Sequence, residues 1–365
     1  MLRFLLRIPG FLIRFATVVG LTGMGLATVS MYLSPDITVV PAFFGLSYPF
    51  WLAVALFGLV YSAVRKRWKL FGLTACCLLL SWRLMQATLG FGTEGCETCH
   101  EMERSVSILS YNVRLFDLYN WTTGDNTREE IYAFLDSTPV DVICFQEFFH
   151  TVKPGAADPR KELMERLGYS NYHDKYTHEM HDVQYFGLLT FSRYPIVGKG
   201  EVSFESDPNN FCIYTDLAVH GDTIRVYNAH LASIRLKTED YRAIDRGPDQ
   251  KETKRLVSRI SGGYQRRASQ IEAVVSSIAG SPHPVVLCVD LNDTPISYAH
   301  AQLESHLKDS FRGRHFGFGG THIGLFPFLR IDYAMHSPEL NAHYLKLHED
   351  VELSDHHPLE LHLSW

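Results

Sequence analysis

Residues 284–292 read PVVLCVDLN, an apolar run of five residues that ends in two polar side chains, Asp290 and Asn292. Such a run, short and bounded by proline, reads as a strand whose exit carries chemistry. The same form recurs on both sides of it. SVSILSYNV (105–113) alternates like a strand and ends at Asn112, and DVICFQE (141–147) is a buried strand ending in a carboxylate. FGLLTFSRYPI (186–196), TIRVYNAHL (223–231), RIDYAMHS (330–337) and LSDHHPLELHL (353–363) are further strand candidates. Between them lie helical patterns. Thr127 and Glu130 form a capping box ahead of Ile131, Phe134 and Leu135 on one face. Residues 251–261 and 264–279 suggest helix, with Gly262–Gly263 as a break. Strands alternating with helices indicate an α/β domain with a mixed sheet.

The polar residues at the strand ends are Asn112, Glu147, Asn228 with His230, Asp290 with Asn292, Asp332, and Asp355 with His356. An α/β scaffold gathers such ends over one cleft. The set holds carboxylates, amides and two histidines, with no serine or cysteine nucleophile. Hard oxygen donors favour Mg²⁺ or Mn²⁺ over Zn²⁺. Carboxylates, amides and imidazoles together suit metal-assisted attack of water on phosphorus, where charge on the non-bridging oxygens must be stabilised.

The ordered series SYNV (110–113), FQE (145–147), GLLTFSRYPI (187–196), NAHL (228–231), DLN (290–292), RIDY (330–333) and SDHHP (354–358) resembles the endonuclease/exonuclease/phosphatase superfamily over residues 105–365. The family includes deoxyribonucleases, abasic-site endonucleases, inositol polyphosphate 5-phosphatases and neutral sphingomyelinases. No single motif is strong, but seven in the right order are. The resemblance implies a four-layer sandwich of two packed mixed β-sheets flanked by helices. It also implies roles. Glu147 would be the main metal carboxylate, with Asn112 beside metal and phosphate and Asp355 at the metal or its water shell. Asp290 would orient or deprotonate the attacking water, Asn292 would hold a phosphate oxygen, and His230 would contact the phosphate. His356 would act on phosphate or in proton transfer, paired with Asp332, since a carboxylate behind an imidazole fixes its tautomer and raises its pKa. One position departs. Abasic-site endonucleases carry an acid two residues after the asparagine, where this chain has Arg114.

Each residue also has a plainer reading. Glu147 alone would be a salt-bridged surface group, and Asp290 with Asn292 a turn before Thr294–Pro295. His357 reads as a solvated neighbour of His356, and Tyr185 and Arg193 as packing and surface groups. Residues 235–259 are highly charged and read as a solvated insertion.

Residues 1–93 form a membrane segment. They carry eight basic residues and one acid, Asp36, and hold uncharged runs at 15–35 and 37–64. Each run exceeds the roughly 20 residues needed to cross a hydrocarbon core. A third run, 70–93, is interrupted by Arg83 alone; at mid-span that residue would cost about 2.5–3.5 kcal/mol, and less if it snorkels. Two or three transmembrane helices are therefore expected, at about 15–34, 45–64 and 70–90. Arg3, Arg7 and Arg14 place the N-terminus in the cytoplasm, and Arg65, Lys66, Arg67 and Lys69 place the second loop there too. Three spans would anchor the chain in the cell (inner) membrane and put the following domain outside the cytoplasm.

Residues 94–104 read as a linker. They contain CETCH (96–100), the c-type haem attachment pattern, in a stretch too short to enclose haem, so no haem is expected. Cys96 and Cys99 fit a local disulfide or free thiols. Of the other five cysteines, Cys144, Cys212 and Cys288 fall in strand-like apolar runs and read as buried free thiols.

After the membrane segment the chain holds 26 basic and 39 acidic residues, a net charge of −13. Phosphate backbones are held mainly by Lys and Arg, so this balance disfavours nucleic acid. The expected function is a membrane-anchored, metal-dependent phosphoesterase acting on a phospholipid or small phosphorylated metabolite. A nuclease is the alternative. A non-catalytic binding module is more remote, because the set of eight residues is intact.

Overall fold

Two six-stranded sheets carry the catalytic candidates. In the computed structural model, residues 10–95, 104–121, 126–156, 158–181, 183–204, 207, 210–234, 238–324, 326 and 328–365 are described. The chain divides into two compact units. One is Gly90–Asn292 with Gln302–Trp365. The other is the chain up to Leu89 with Asp293–Ala301.

The first unit is α/β. Its strands are β1 (Gly90–Phe91), β2 (Ser105–Asn112), β3 (Val142–Thr151), β4 (Asn171–Met180), β5 (Gln184–Ser192), β6 (Ile196–Val202), β7 (Phe211–Val219), β8 (Asp222–His230), β9 (Val285–Asp290), β10 (Lys308–Asp309), β11 (Phe316–Gly317), β12 (Asp332–His336), β13 (Asn341–Leu347) and β14 (Leu359–Ser364). One sheet runs β10-β12-β9-β8-β7-β6, the other β13-β14-β2-β3-β5-β4, and β1 pairs with β11 apart from both. The pairs β2/β3 and β8/β9 are parallel and the rest antiparallel, so both sheets are mixed.

The period of two along a strand builds the core. Val106 and Ile108, Val142 and Cys144, Ile224 and Val226, Val286 and Cys288, and Leu359, Leu361 and Leu363 meet between the sheets. The opposite parity faces the helices. Leu109, Tyr111, Ile143, Phe145, Leu189 and Phe191 pack with Ile131, Tyr132 and Leu135 of α6 (Thr127–Ser137) and Leu163 of α7 (Pro159–Leu167). On the other sheet Tyr227 bonds Ser277 of α9 (Gln250–Ala279) at 2.9 Å. The result is the four-layer α/β sandwich.

Several local expectations are corrected. α9 runs unbroken through Gly262–Gly263. A Cβ on Gly263 would lie 3.4 Å from Ile234 Cα, so the small residue admits a neighbouring loop rather than ending the helix. The capping box at Thr127 is not made: Asn126 is the N-cap, with no side-chain cap bond, and the Thr127 hydroxyl donates to Asp117 Oδ2 at 3.3 Å. The charged stretch 235–259 is not simply solvated. It forms α8 (Thr238–Arg246) and the start of α9, and Asp240 is buried against Arg255 at 2.9 Å and Arg259 at 3.4 Å. Part of the linker is strand-like: Gly95 bridges Tyr344, and Leu345 N donates to Glu94 O. Cys96 and Cys99 lie outside the described residues. Cys144, Cys212 and Cys288 are buried free thiols.

The second unit is helical: α1 (Gly10–Ser30), α2 (Val40–Leu46), α3 (Tyr48–Val64), α4 (Trp68–Leu80) and α5 (Trp82–Thr88). Among the described residues only α1 is by itself long and apolar enough to cross a membrane; α2 with α3 and α4 with α5 pass together but are bent by 67° and 61°. The expected second span is thus not straight. A helix continuous through Pro49 would press its ring on the carbonyl of Gly45, so the chain breaks at Ser47 and restarts with proline in the first turn. Arg83 lies beyond the second bend, exposed in α5. α1 and α3 run antiparallel, with Tyr61 Oη donating to Gly10 O at 3.5 Å. Small residues let them close: a Cβ on Gly58 would stand 2.4 Å from Thr17 Oγ1, and one on Gly23 2.4 Å from the Trp51 ring. The basic residues Arg14 and Arg65 therefore share one end of this pair, and Ser30 and Ser47 the other.

Candidate active site

Strand parity aims the site. The parity that buries Val106 and Ile108 between the sheets continues to Asn112, that of Ile224 and Val226 to His230, and that of Val286 and Cys288 to Asp290. Asp332 shares the parity of Ala334 on β12. Register aligns them across one sheet: His230 pairs with Asp290, and Asp290 with Asp332. Three adjacent strands therefore end in a row of ionisable side chains above the inter-sheet core.

Glu147 has the wrong parity, that of Ile143 and Phe145, which face the helices. The β3/β5 register shifts between Phe145 and Phe148, and Glu147 adopts φ +49°. This bulge costs about 1–3 kcal/mol of backbone strain and swings the carboxylate to the site. There Glu147 Oε1 lies 3.4 Å from Asn112 Nδ2 and 3.8 Å from His230 Nε2.

Asp290 is the hub. Its Oδ2 accepts from Asn112 Nδ2 at 2.9 Å, with His230 Nε2 at 3.5 Å and His356 Nε2 at 3.9 Å. Its Oδ1 accepts from Asn292 N at 3.0 Å. Burial, then the Asp332 carboxylate, raises the Asp290 pKa against the lowering pull of His356, His230 and Asn112. His356 Nδ1 lies 2.8 Å from Asp332 Oδ2. Burial alone would lower the His356 pKa; Asp332 and Asp290 overturn it and lift it to about 10. Asp332 is fixed in turn, since Thr321 Oγ1 accepts from the backbone N–H of Ile331 and of Asp332.

The other expected residues are also traceable. Asp355 Oδ2 lies 3.2 Å from Arg114 Nε, and Ser354 Oγ donates to Asn112 O at 2.8 Å, which ties this loop to β2, with Asp355 Oδ1 3.3 Å away. Asn292 is at the site, where one N–H of its amide Nδ2 donates to Leu231 O and the other is a further donor. Asn228 belongs to the core: it bonds the carbonyls of Phe145 and Leu189 and accepts from Gln146 Nε2. His357 bonds Val351 O, a loop contact. Tyr185 stacks on His150 and Arg193 bonds Val140 O, as packing groups do.

Two residues escaped the sequence reading as site members. Arg114 sits over the Trp121 ring at 4.8 Å while paired to Asp355, and it opens a run of four residues at positive φ, Arg114–Asp117. Its place two residues after Asn112 was the available signal. His322 bridges the backbone of His356, and its ring stands edge-on to that imidazole at 5.4 Å. Nothing in the local sequence around His322 marks it, because the contact is made across a loop.

A family profile described as the Endonuclease/Exonuclease/phosphatase family matches residues 109–356. The chain belongs to the endonuclease/exonuclease/phosphatase family. It is with that a hydrolase of phosphate esters. A second profile, a domain of unknown function, matches residues 10–88. No curated protein sequence matches the chain significantly. Solved structures share the fold. An endonuclease/exonuclease/phosphatase from Beutenbergia cavernae is 20% identical with a TM-score of 0.51, covering 72% of each chain. The human Nocturnin catalytic domain is 17% identical with a TM-score of 0.52, over 72% of this chain and 93% of its own. A mannosyl-6-phosphatase from Bacteroides thetaiotaomicron is 18% identical with a TM-score of 0.50, over 71% of this chain and all of its own.

Enzymes of this family are generally divalent-metal dependent, and the donor set here is compatible. Glu147 and Asp355 present part-exposed carboxylates, with side chains 35% and 29% accessible, beside the Asn112 amide. Acidic and histidine clusters compact enough for an ion also occur: Asp290, Asp332 and His356, and His322, Asp355 and His356.

Proposed function

We propose that the chain is a membrane-anchored phosphoesterase that uses Mg²⁺ or Mn²⁺ to hydrolyse a phosphodiester or phosphomonoester of a phospholipid or small phosphorylated metabolite. One observation carries this reading: Asp290 is met at once by Asn112, His230 and the Asp332-backed His356. Glu147 and Asp355, with Asn112 alongside, would hold the cation, which supplies Lewis-acid stabilisation of charge on the phosphate oxygens. Asp290 orients the attacking water and takes its proton. Its raised proton affinity suits a general base, and its bond from Asn112 fixes the carboxylate plane. His356, kept protonated by Asp332, stabilises charge developing on phosphorus oxygens, and His230 contacts the same group from the neighbouring strand. Asn292 offers its side-chain amide to a phosphate oxygen.

The bilayer is the proposed partner of the helical unit, with the N-terminus cytoplasmic and the catalytic unit on the far side. The −13 charge after the membrane segment sets nucleic acid second. A panel of duplex DNA, RNA, sphingomyelin, inositol phosphates and bis(p-nitrophenyl) phosphate, assayed with Mg²⁺ and with chelator, tests it. Hydrolysis of a lipid or small ester only with Mg²⁺ is expected. Turnover confined to DNA or RNA would transfer the reading to a nuclease, and full turnover in excess chelator would overturn the mechanism.

A further inference from the structure

The nine residues that follow the DLN motif fold with the helices. Asp293–Ala301 groups with the chain up to Leu89. Ile296 is its anchor: it is 2% exposed and packs in one cluster with Met24, Ala27, Met31, Tyr48 and Leu52. Ser30 Oγ, at the C-terminal end of α1, lies 3.1 Å from the carbonyl oxygen of Ile296 and shares its one proton between that oxygen and Ala27 O at 2.7 Å. Gly45 closes the other side. A Cβ there would stand 2.1 Å from the same carbonyl and 2.6 Å from Ser30 Oγ. Only three residues of chain separate Ile296 from Asn292, whose backbone N–H holds Asp290 Oδ1 and whose φ is +53°. An apolar span that served only as a leash would need no bond to a loop more than 260 residues away in sequence.

We infer that the helical unit is a positioning element of the enzyme: through Ser30, Gly45 and Ile296 it fixes the loop that sets Asp290 and Asn292. The inference rests on the phosphoesterase reading for its kinetic consequence and on packing alone for its structural one. Ser30 and Gly45 belong to the end of the helices opposite Arg14 and Arg65. The loop is thus held at the end of the spans away from the basic residues. Displacement of a reacting group by about 1 Å can cost about a hundredfold in rate, so a loosened loop acts on kcat more than on KM.

The test uses the full chain in nanodiscs with Mg²⁺ and bis(p-nitrophenyl) phosphate, beside amide hydrogen exchange. Gly45→Ala is expected to lower kcat at least tenfold with KM little changed, and to speed exchange across 286–301. Ser30→Ala is expected to do the same several-fold, with Ser30→Thr restoring both. Gly25→Ala, where an added Cβ meets nothing within 4 Å, is the control and is expected to match wild type. Wild-type kcat and unchanged exchange across 286–301 in Gly45→Ala or Ser30→Ala would overturn the inference. If Gly45→Ala does not insert, the Ser30 pair decides. If the wild type hydrolyses no phosphoester, the function reading fails while the exchange arm still decides this one.

Discussion

His356 Nδ1 lies 2.8 Å from Asp332 Oδ2, and its Nε2 lies 3.9 Å from the Asp290 carboxylate that Asp332 faces in register. One buried imidazole therefore stands between two acids. The Asp332 carboxylate raises the proton affinity of Asp290, as a like charge does, and both carboxylates raise that of the imidazole. Activity is expected to rise as Asp290 loses its proton and to fall as His356 loses its own near pH 10. Removing the Asp332 charge lowers both affinities. In Asp332→Asn both limbs of the pH–rate profile should move to lower pH, the alkaline one further. A profile with an unmoved alkaline limb would exclude His356 as the group behind it.

Glu147→Gln keeps the side-chain shape and removes the charge. Metal-dependent turnover is expected to fall at least about a hundredfold. Isothermal titration with Mn²⁺ should show weakened binding, which separates loss of the ion from loss of the fold.

Arg114 neutralises Asp355 across 3.2 Å in a partly exposed setting. Pairs of this kind contribute about 0–1 kcal/mol, so Arg114→Ala should tighten Mg²⁺ binding by up to about fivefold. The half-activating Mg²⁺ concentration reports it. An unchanged or higher half-activating concentration in Arg114→Ala would contradict this.

Glu360 lies between His348 at 2.8 Å and His362 at 2.7 Å. Burial alone would raise its pKa, but the two imidazole bonds draw it down to about 2. A carboxyl depressed on folding stabilises above its unfolded value and stops doing so as pH falls from about 4.5 to about 2. Thermal unfolding of Glu360→Gln should be destabilised relative to wild type at pH 6 and converge with it near pH 2. A gap that stays constant with pH would contradict this.

Alkaline phosphatase and a cytoplasm-only fluorescent protein, each fused after Trp365, read the topology. Phosphatase activity without fluorescence is expected for three spans with the basic ends inside. The reverse pattern would mean that α4 and α5 do not cross.

The sheet-building logic was legible because period two is written in the sequence. Val286, Cys288 and Asp290 alternate toward the core, as do Ile224, Val226, Asn228 and His230, so the strands and the residues at their ends could both be read. What eluded the reading depends on partners far along the chain. Thr127 satisfies Asp117 instead of capping a helix, and Gly263 makes room for residues 233–234. The bend before Pro49 was visible in composition but hidden by hydropathy, which averages over it. Asp293–Ala301 looks like an ordinary turn after DLN, and only tertiary packing assigns it to the helices.

The bulge at Glu147 makes β3 a counting device. Two residues of this strand are matched differently from the rest, and that offset decides whether residue 147 faces Asn112 and His230 or the aromatic layer of Phe145, Phe148 and Phe191. Substitutions leave the count intact. Inserting one residue between Phe145 and Phe148 changes it, with every side chain still present. The length of this strand therefore sets the direction of the carboxylate, and a one-codon insertion there would turn Glu147 away with its side chain intact.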